Sequence, residues 1–232
     1  MRTVIVPTLN EEENIERLVR SIFRVLGTKD IHVLIVDDDS TDRTHEVVSE
    51  LCNEFPGLHM IVRKGERGLG SAVRLGASHY RQSQVVVMDA DMSHNPKYLP
   101  SMFDKLEQGF DVVVGSRYIP KGDIVGWLGS RIAISKVATA MARAVFRVPV
   151  SDPMSGFVGC RSGRLLEEGF DHADFKFLLE MLVKNRSLRV TEVPIVFHDR
   201  AKGTSKLGAI TIALYIGLVL RLLFTKGRRP LS

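Results

Sequence analysis

The sequence predicts an α/β fold: a mostly parallel sheet with helices on both faces. Three observations predict it. Short apolar runs alternate with stretches of helical periodicity through the first half of the chain. The runs at residues 31–36, 85–88 and 112–114 are apolar nearly throughout, as in strands buried on both faces. The 232 residues suffice for one large domain with a sizeable core, and no linker or internal repeat divides them.

Taken in order, residues 3–7 read as the first strand, closed by Pro7. Asn10 and Glu13 have the spacing of a capping pair, which predicts a helix from there to about Leu26. Residues 31–36 are the second strand. The polar break Asp37-Asp38-Asp39-Ser40-Thr41-Asp42 then precedes a helix running to about Phe55. Residues 58–62 are a third strand, and Gly68-Leu69-Gly70-Ser71 opens the next helix. Gly68-Leu69-Gly70 lacks the third glycine of a dinucleotide loop, and the chain has no Gly-Lys-Ser/Thr phosphate loop. A nucleotide would therefore be held in neither of those ways. Residues 85–88 form the strand before Asp89, a helix follows Pro96, and residues 112–114 form another strand.

Beyond Tyr118 the pattern loosens. Residues 122–129 are a Gly-rich loop holding the only tryptophan, Trp127. Residues 131–147 read as an amphipathic helix with Ile134, Val137, Ala138, Met141 and Val145 on one face. Ser135, Lys136, Thr139 and Arg143 lie on its polar face. Residues 188–197 have strand character, broken by Pro194. Residues 207–220 are apolar without interruption, and with Arg221 and residues 222–224 they would make a helix roughly 27 Å long. Lys202, Lys206, Lys226, Arg228 and Arg229 bracket this segment. The expectation is a helix lying at a membrane interface or docked on a partner, with a true span as the alternative.

The net charge of +5 conceals a division: residues 1–112 carry −5 and residues 113–232 carry +10. An acidic half joined to a basic half points to an anionic partner, either a phosphate or a membrane surface. The basic residues are scattered among apolar ones with no nucleic-acid module, so a nucleic-acid partner is not expected. Cys52 and Cys160 are too few for a disulfide framework, which suggests a reducing compartment. No secretory leader pattern opens the chain.

The chemistry concentrates at Val85-Val86-Val87-Met88-Asp89-Ala90-Asp91, where an apolar strand ends in two carboxylates one residue apart. Ligands of open α/β sheets collect at the carboxyl ends of strands. Like charges held close repel unless a cation lies between them. Oxygen ligands of this kind suit Mg²⁺ or Mn²⁺ shared with substrate phosphates. Asp91 as a helix cap and Asp89 as a solvated loop residue is the simpler alternative.

Six motifs in order carry a resemblance. They are Pro7-Thr8-Leu9-Asn10-Glu11, Val36-Asp37-Asp38-Asp39-Ser40, Asp89-Ala90-Asp91, Gly115-Ser116-Arg117, Asp152-Pro153-Met154-Ser155-Gly156-Phe157, and Asp199-Arg200 with Gly203-Thr204-Ser205-Lys206-Leu207. Together they resemble polyprenyl-phosphate glycosyltransferases of the inverting GT-A type, and among these the dolichyl-phosphate mannose synthases. The resemblance implies a GT-A catalytic domain over residues 1–206, with a nucleotide-sugar half (1–118) and an acceptor half (119–206). Residues 207–232 would then be a membrane-associated helix and basic tail. It implies that Pro7, Leu9, Glu11, Val36 and Asp38 hold the base and ribose, and that Asp89, Ala90 and Asp91 hold the nucleotide sugar and the metal. Arg117, Arg131 and Ser135 would receive the acceptor phosphate, with Asp91 also catalytic; Arg200 and Lys206 would lie near the donor diphosphate. Leu9 stands where the family usually has Tyr, and Ser93 where many members place a metal-binding Gln.

The implied reaction moves a sugar, mannose from GDP-mannose, to dolichyl or another polyprenyl phosphate with inversion, on the cytoplasmic face of a membrane. A small membrane-anchoring subunit is a further implied partner. An alcohol acceptor would need a general base, whereas a phosphate monoester, with its second pKa near ~6, is already largely dianionic at neutral pH. No His sits in a recognisable motif, which agrees with a mechanism lacking such a base. The rivals are a UDP-glucose-dependent enzyme of the same class and a non-catalytic nucleotide-sugar-binding subunit of a membrane complex.

Overall fold

The computed structural model describes residues 1–166, 177–199 and 217–223. Among these, seven strands form the main sheet in the order β3-β2-β1-β4-β7-β5-β8. The strands are β1 (Arg2–Thr8), β2 (Ile31–Asp37), β3 (Leu58–Val62), β4 (Gln84–Val87), β5 (Val112–Ser116), β7 (Val158–Arg161) and β8 (Val190–Pro194). A second sheet pairs β6 (Asp123–Val125) with β9 (Val196–His198). The helices are α1 (Ile15–Leu26), α2 (Thr44–Glu54), α3 (Leu69–His79), α4 (Leu99–Glu107), α5 (Gly129–Phe146), α6 (Ser162–Leu166) and α7 (Phe177–Lys184).

Successive residues of each strand feed two cores, as the two-residue period of a strand requires. Val4, Val6, Val33, Ile35 and Val86 join α1, α2 and α4 on one face. Ile5, Leu34, Val36, Val85 and Val87 meet α3, α6 and α7 on the other, where Ala142 and Phe146 of α5 also pack. Helix α1 reaches its core through Ile15, Leu18, Val19 and Ile22, the spacing of one helical face. Helix α3 comes so close to β1 that a Cβ on Gly76 would stand 2.9 Å from the Ile5 side chain.

The expected alternation of strand and helix is observed, with three differences. Helix α1 begins at Ile15, not near Asn10. Asn10 is left-handed at φ 55° and its side chain accepts the Thr41 N–H, while Glu11 N–H donates to Thr44 Oγ1. Residues 10–14 are therefore a turn tied to the start of α2.

The second difference is β7, which runs antiparallel between β4 and β5. Its reversal matters for the site. A strand running the other way brings its leading segment, residues 152–157, to the edge where the parallel strands end.

The third difference concerns the C-terminal segment. Within the described residues 217–223, Leu218, Val219 and Leu222 are buried in the core beside α7, while Leu220 and Leu223 are exposed. Arg221 lies 3.7 Å from the buried Glu180 carboxylate. This part of the expected interfacial helix therefore contributes one face to the domain's own core. Among the described residues no helix is long and apolar enough to cross a membrane.

Candidate active site

The carboxyl ends of β1, β2 and β4 present residues 8–11, 37–40 and 88–94 to one edge of the sheet. At the β4 end Asp89 is partly exposed and Asp91 is buried, its Oδ1 accepting the Ser93 N–H at 3.0 Å. Met92, between Asp91 and Ser93, is left-handed at φ 64°. The Ser93 hydroxyl is buried without a hydrogen-bond partner. Two carboxylates and an unsatisfied hydroxyl in one loop make an all-oxygen donor set, which fits Mg²⁺ or Mn²⁺ completed by substrate phosphate. Among the described residues no cluster of three His, Cys, Asp or Glu side chains could hold a metal by itself.

His94, which the sequence did not single out, lies directly behind this loop. Its Nδ1 accepts the Asp89 backbone N–H at 3.2 Å, and the ring stacks on Phe157 at 4.9 Å. Burial lowers its pKa from the ordinary value, although Asp89 and Asp91 pull the other way. A neutral imidazole with Nδ1 as acceptor carries its proton on Nε2. The signal available in the sequence was the three-residue step from Asp91 to His94, which alone gives no role.

The nucleotide end differs in detail from the expectation. Pro7, Leu9 and Glu11 lie at the tip of β1, each partly exposed. Val36 is fully buried in the core at the end of β2. Asp38 does not offer an open carboxylate. Its Oδ1 accepts from Nε and Nη2 of buried Arg63, and its Oδ2 accepts the Gly68 N–H at 2.9 Å. Arg63 also donates to Ser71 Oγ and Gly68 O. This clamp ties the tip of β2 to the entry of α3, and Arg63 was not legible because its partners are 25 and 5 residues away.

The residues expected to receive the acceptor lie just after β5 and in the first turns of α5, beside the end of β9. Arg117 is paired with Asp152 through Nε–Oδ2 at 2.7 Å and Nη2–Oδ1 at 2.8 Å, and its backbone N–H donates to the same carboxylate. Two nitrogens of the guanidinium expected to receive the acceptor phosphate are thus already engaged by Asp152. Burial works against the Arg117 charge, but the Asp152 hydrogen bonds and charge raise its pKa further. Arg131 donates through Nη1 to Asp199 at 2.9 Å and stacks on Trp127, its Cζ 3.9 Å from the ring centroid. Ser135 accepts a hydrogen bond from the Tyr118 hydroxyl at 2.8 Å. Arg200 and Lys206 lie outside the described residues.

A train of rings joins the two ends. His94 meets Phe197 edge-on at 5.5 Å, and Phe197 meets Trp127 edge-on at 5.4 Å. The Arg117 guanidinium lies over Tyr118, Trp127 and Phe197 at 5.2–5.6 Å. The structure therefore brings Asp89, Asp91, Arg117 and Arg131 to one edge of the sheet, with Asp152, His94 and Trp127 between them. Beside Arg117 a cleft of about 460 Å³ opens against α5, lined by Lys136, Arg143, Ile119, Ile124 and Ile132.

This arrangement, a mostly parallel sheet with an acidic strand end facing a cationic rim, is the GT-A fold of a glycosyltransferase. Solved structures of glucosyl-3-phosphoglycerate synthase from Mycobacterium tuberculosis share it. The complex with Mn²⁺, UDP-glucose and phosphoglyceric acid superposes with a TM-score of 0.73 at 19% identity, covering 100% of this chain and 81% of that one. The complex with Mg²⁺ and UDP gives 0.71 at 20% identity, covering 100% and 81%.

The chain belongs to glycosyl transferase family 2, whose family model matches residues 3–167. It is 38% identical over 227 residues to the dolichol-phosphate mannosyltransferase of Pyrococcus furiosus, covering 97% of this chain and 64% of that protein. It is 33% identical to the polyprenol monophosphomannose synthase of Mycolicibacterium smegmatis (90% and 82% covered). It is 35% identical to the dolichol-phosphate mannosyltransferase of Saccharomyces cerevisiae (92% and 84% covered). The chain thus spans just under two thirds of the archaeal relative's length.

Proposed function

We propose that this glycosyltransferase moves mannose from GDP-mannose to dolichyl or another polyprenyl phosphate, with inversion, at a membrane surface. The observation that carries the reading is the site's polarity. An acidic, all-oxygen loop at Asp89–Asp91 lies at one end, and two arginines held by carboxylates and aromatic rings lie at the other. The names of the three relatives support mannose as the sugar and a polyprenyl phosphate as the acceptor.

The nucleotide would lie along Pro7, Leu9 and Glu11, over the rim that Arg63 and Asp38 hold in place. Asp89 and Asp91 would hold Mg²⁺ or Mn²⁺ against the diphosphate, and the metal supplies charge neutralisation for the leaving group. Metal complexes of the structural neighbours support a divalent ion. Arg117 and Arg131 would orient the acceptor phosphate for in-line attack, with Ser135 beside them, and Arg200 and Lys206 would neutralise the donor diphosphate. A dianionic phosphate needs no proton removed. Asp152 and Asp199 are engaged with arginines, so neither is placed as a base.

Membrane contact is supported by α5 more directly than by the C-terminal segment. Leu128, Ile134, Val137 and Met141 are exposed there, Leu128 at 76% and Val137 at 68%. Lys136 and Arg143 stand on the neighbouring face of the same helix, at the cleft. An apolar stripe flanked by cations suits insertion among anionic headgroups. The cytoplasmic face is part of the same proposal, in keeping with a chain of only two cysteines. An anchoring subunit remains part of this proposal.

The deciding experiment measures turnover with GDP-mannose and with UDP-glucose, each with and without dolichyl phosphate. Transfer only from GDP-mannose and only with the lipid is expected. Transfer from UDP-glucose supports the glucosyl rival, and absence of any transfer with intact nucleotide binding supports the non-catalytic one.

A further inference from the structure

The only tryptophan of the chain has so far served as a platform. The Trp127 ring packs under the Arg131 guanidinium and against the edge of Phe197. Its indole N–H is nevertheless buried with no hydrogen-bond acceptor, and so is the Nε–H of Arg131, whose guanidinium stacks on the same ring. Two neighbouring donors are thus withdrawn from bulk water without partners, in a molecule where most buried polar groups are satisfied. Arg131 has an acceptor for Nη1 in Asp199, whereas its Nε–H has none.

The missing partner can be characterised by what these atoms accept. An indole nitrogen and a guanidinium can only donate, so the partner is an acceptor. It must offer at least two acceptor positions, one for each N–H. A hydrocarbon chain would leave both donors unsatisfied. A phosphate, with several oxygens and negative charge, satisfies both and opposes the Arg131 charge.

We propose that Trp127 binds the acceptor phosphate directly, its indole N–H donating to one oxygen while Arg131 Nε–H donates to another. The assignment rests on the lipid-phosphate reading above and names a residue beyond the set that the motifs identify. The ring then has two tasks. Its face keeps Arg131 in place, and its edge supplies a neutral donor whose direction is fixed by packing.

Trp127→Phe separates these tasks, because it keeps a ring for Arg131 and Phe197 and deletes the N–H. The apparent KM for a short polyprenyl phosphate should rise about tenfold or more, the usual effect of losing one hydrogen bond to a charged group. GDP-mannose affinity by calorimetry should stay within about twofold of the parent, a margin well below that tenfold.

A second measurement uses the parent enzyme, so it survives any folding defect of the variant. With one Trp in the chain, ¹⁵N-tryptophan labelling yields a single indole N–H resonance. Farnesyl phosphate should move it downfield and slow its exchange with water, whereas farnesol and GDP-mannose should not. An unmoved resonance in an enzyme that transfers mannose to farnesyl phosphate overturns the Trp127 assignment and leaves the function intact. A resonance moved equally by GDP-mannose alone assigns the donor to the diphosphate and also overturns it. Failure to transfer to any polyprenyl phosphate overturns the parent reading instead.

Discussion

Removing Asp152 should unfold the acceptor end of the site, and the size of the effect follows from burial. The Arg117 side chain is 8% exposed and the Asp152 side chain 0%. Asp152 accepts from Nε, Nη2 and the backbone N–H of Arg117, and the remaining surroundings of the guanidinium are largely aromatic. Asp152→Ala therefore leaves a buried charge without its hydrogen-bonded counter-ion, a change worth about 3–5 kcal/mol. For a domain of this size, each kcal/mol lowers the melting temperature by about 2–4 °C, so a drop of roughly 6–20 °C is expected.

The double variant Arg117→Met with Asp152→Leu replaces the pair by apolar groups of similar bulk and should recover most of that loss. It should not recover lipid-dependent transfer, because the cation proposed to face the acceptor phosphate is gone. Calorimetric melts and turnover with dolichyl phosphate, measured on all four proteins of the cycle, test both halves. A loss under about 1 kcal/mol in Asp152→Ala, in the range of a surface pair, would refute the claim that this pair holds the rim. Normal lipid-dependent turnover in the double variant would refute the role of Arg117.

Three further outcomes are expected. Asp91→Ala should abolish transfer and weaken Mn²⁺ binding in the presence of GDP, read by electron paramagnetic resonance, and excess EDTA should silence the parent enzyme. Val137→Glu with Ile134→Glu, both on the exposed stripe of α5, should shift stability by no more than about ±0.5 kcal/mol each, as surface changes do, yet remove flotation with anionic vesicles. Leu222→Ala should destabilise the domain by about 2–5 kcal/mol, the loss for a buried leucine; Leu222 is 1% exposed, and an unchanged melt would return the C-terminal segment to a lipid-facing role.

Much of this molecule was legible in the chain because its causes are local. The buried strands β1, β2, β4 and β5 announce themselves as apolar runs, and helices between them follow from periodicity, since both signals act within a few residues. The paired carboxylates Asp89 and Asp91 were legible for the same reason: their meaning lies in one strand and the turn after it. The helix at α5 was legible but its faces were not: Ile134, Val137 and Met141 of the expected apolar face are exposed, Ala138 and Val145 pack against the core, and Thr139 of the expected polar face is buried. Whether an apolar face meets core, lipid or partner depends on what else the fold packs nearby, which periodicity does not encode.

What only the tertiary structure decided are the long-range pairings. The reversal of β7 carries Asp152 to Arg117, 35 residues away. The pairing of β6 with β9 carries Phe197 to Trp127 and His94. The engagement of Asp38 by Arg63 was not legible, nor that the arginines expected to receive a phosphate are already paired with carboxylates, Arg117 through two side-chain nitrogens and Arg131 through one. By itself the sequence determined which residue types stand at the strand ends, and hence the class of chemistry, because side-chain identity and strand period are local properties. Which cation faces which anion was decided by the fold, because Coulomb interactions and stacking act through space between residues the chain holds far apart.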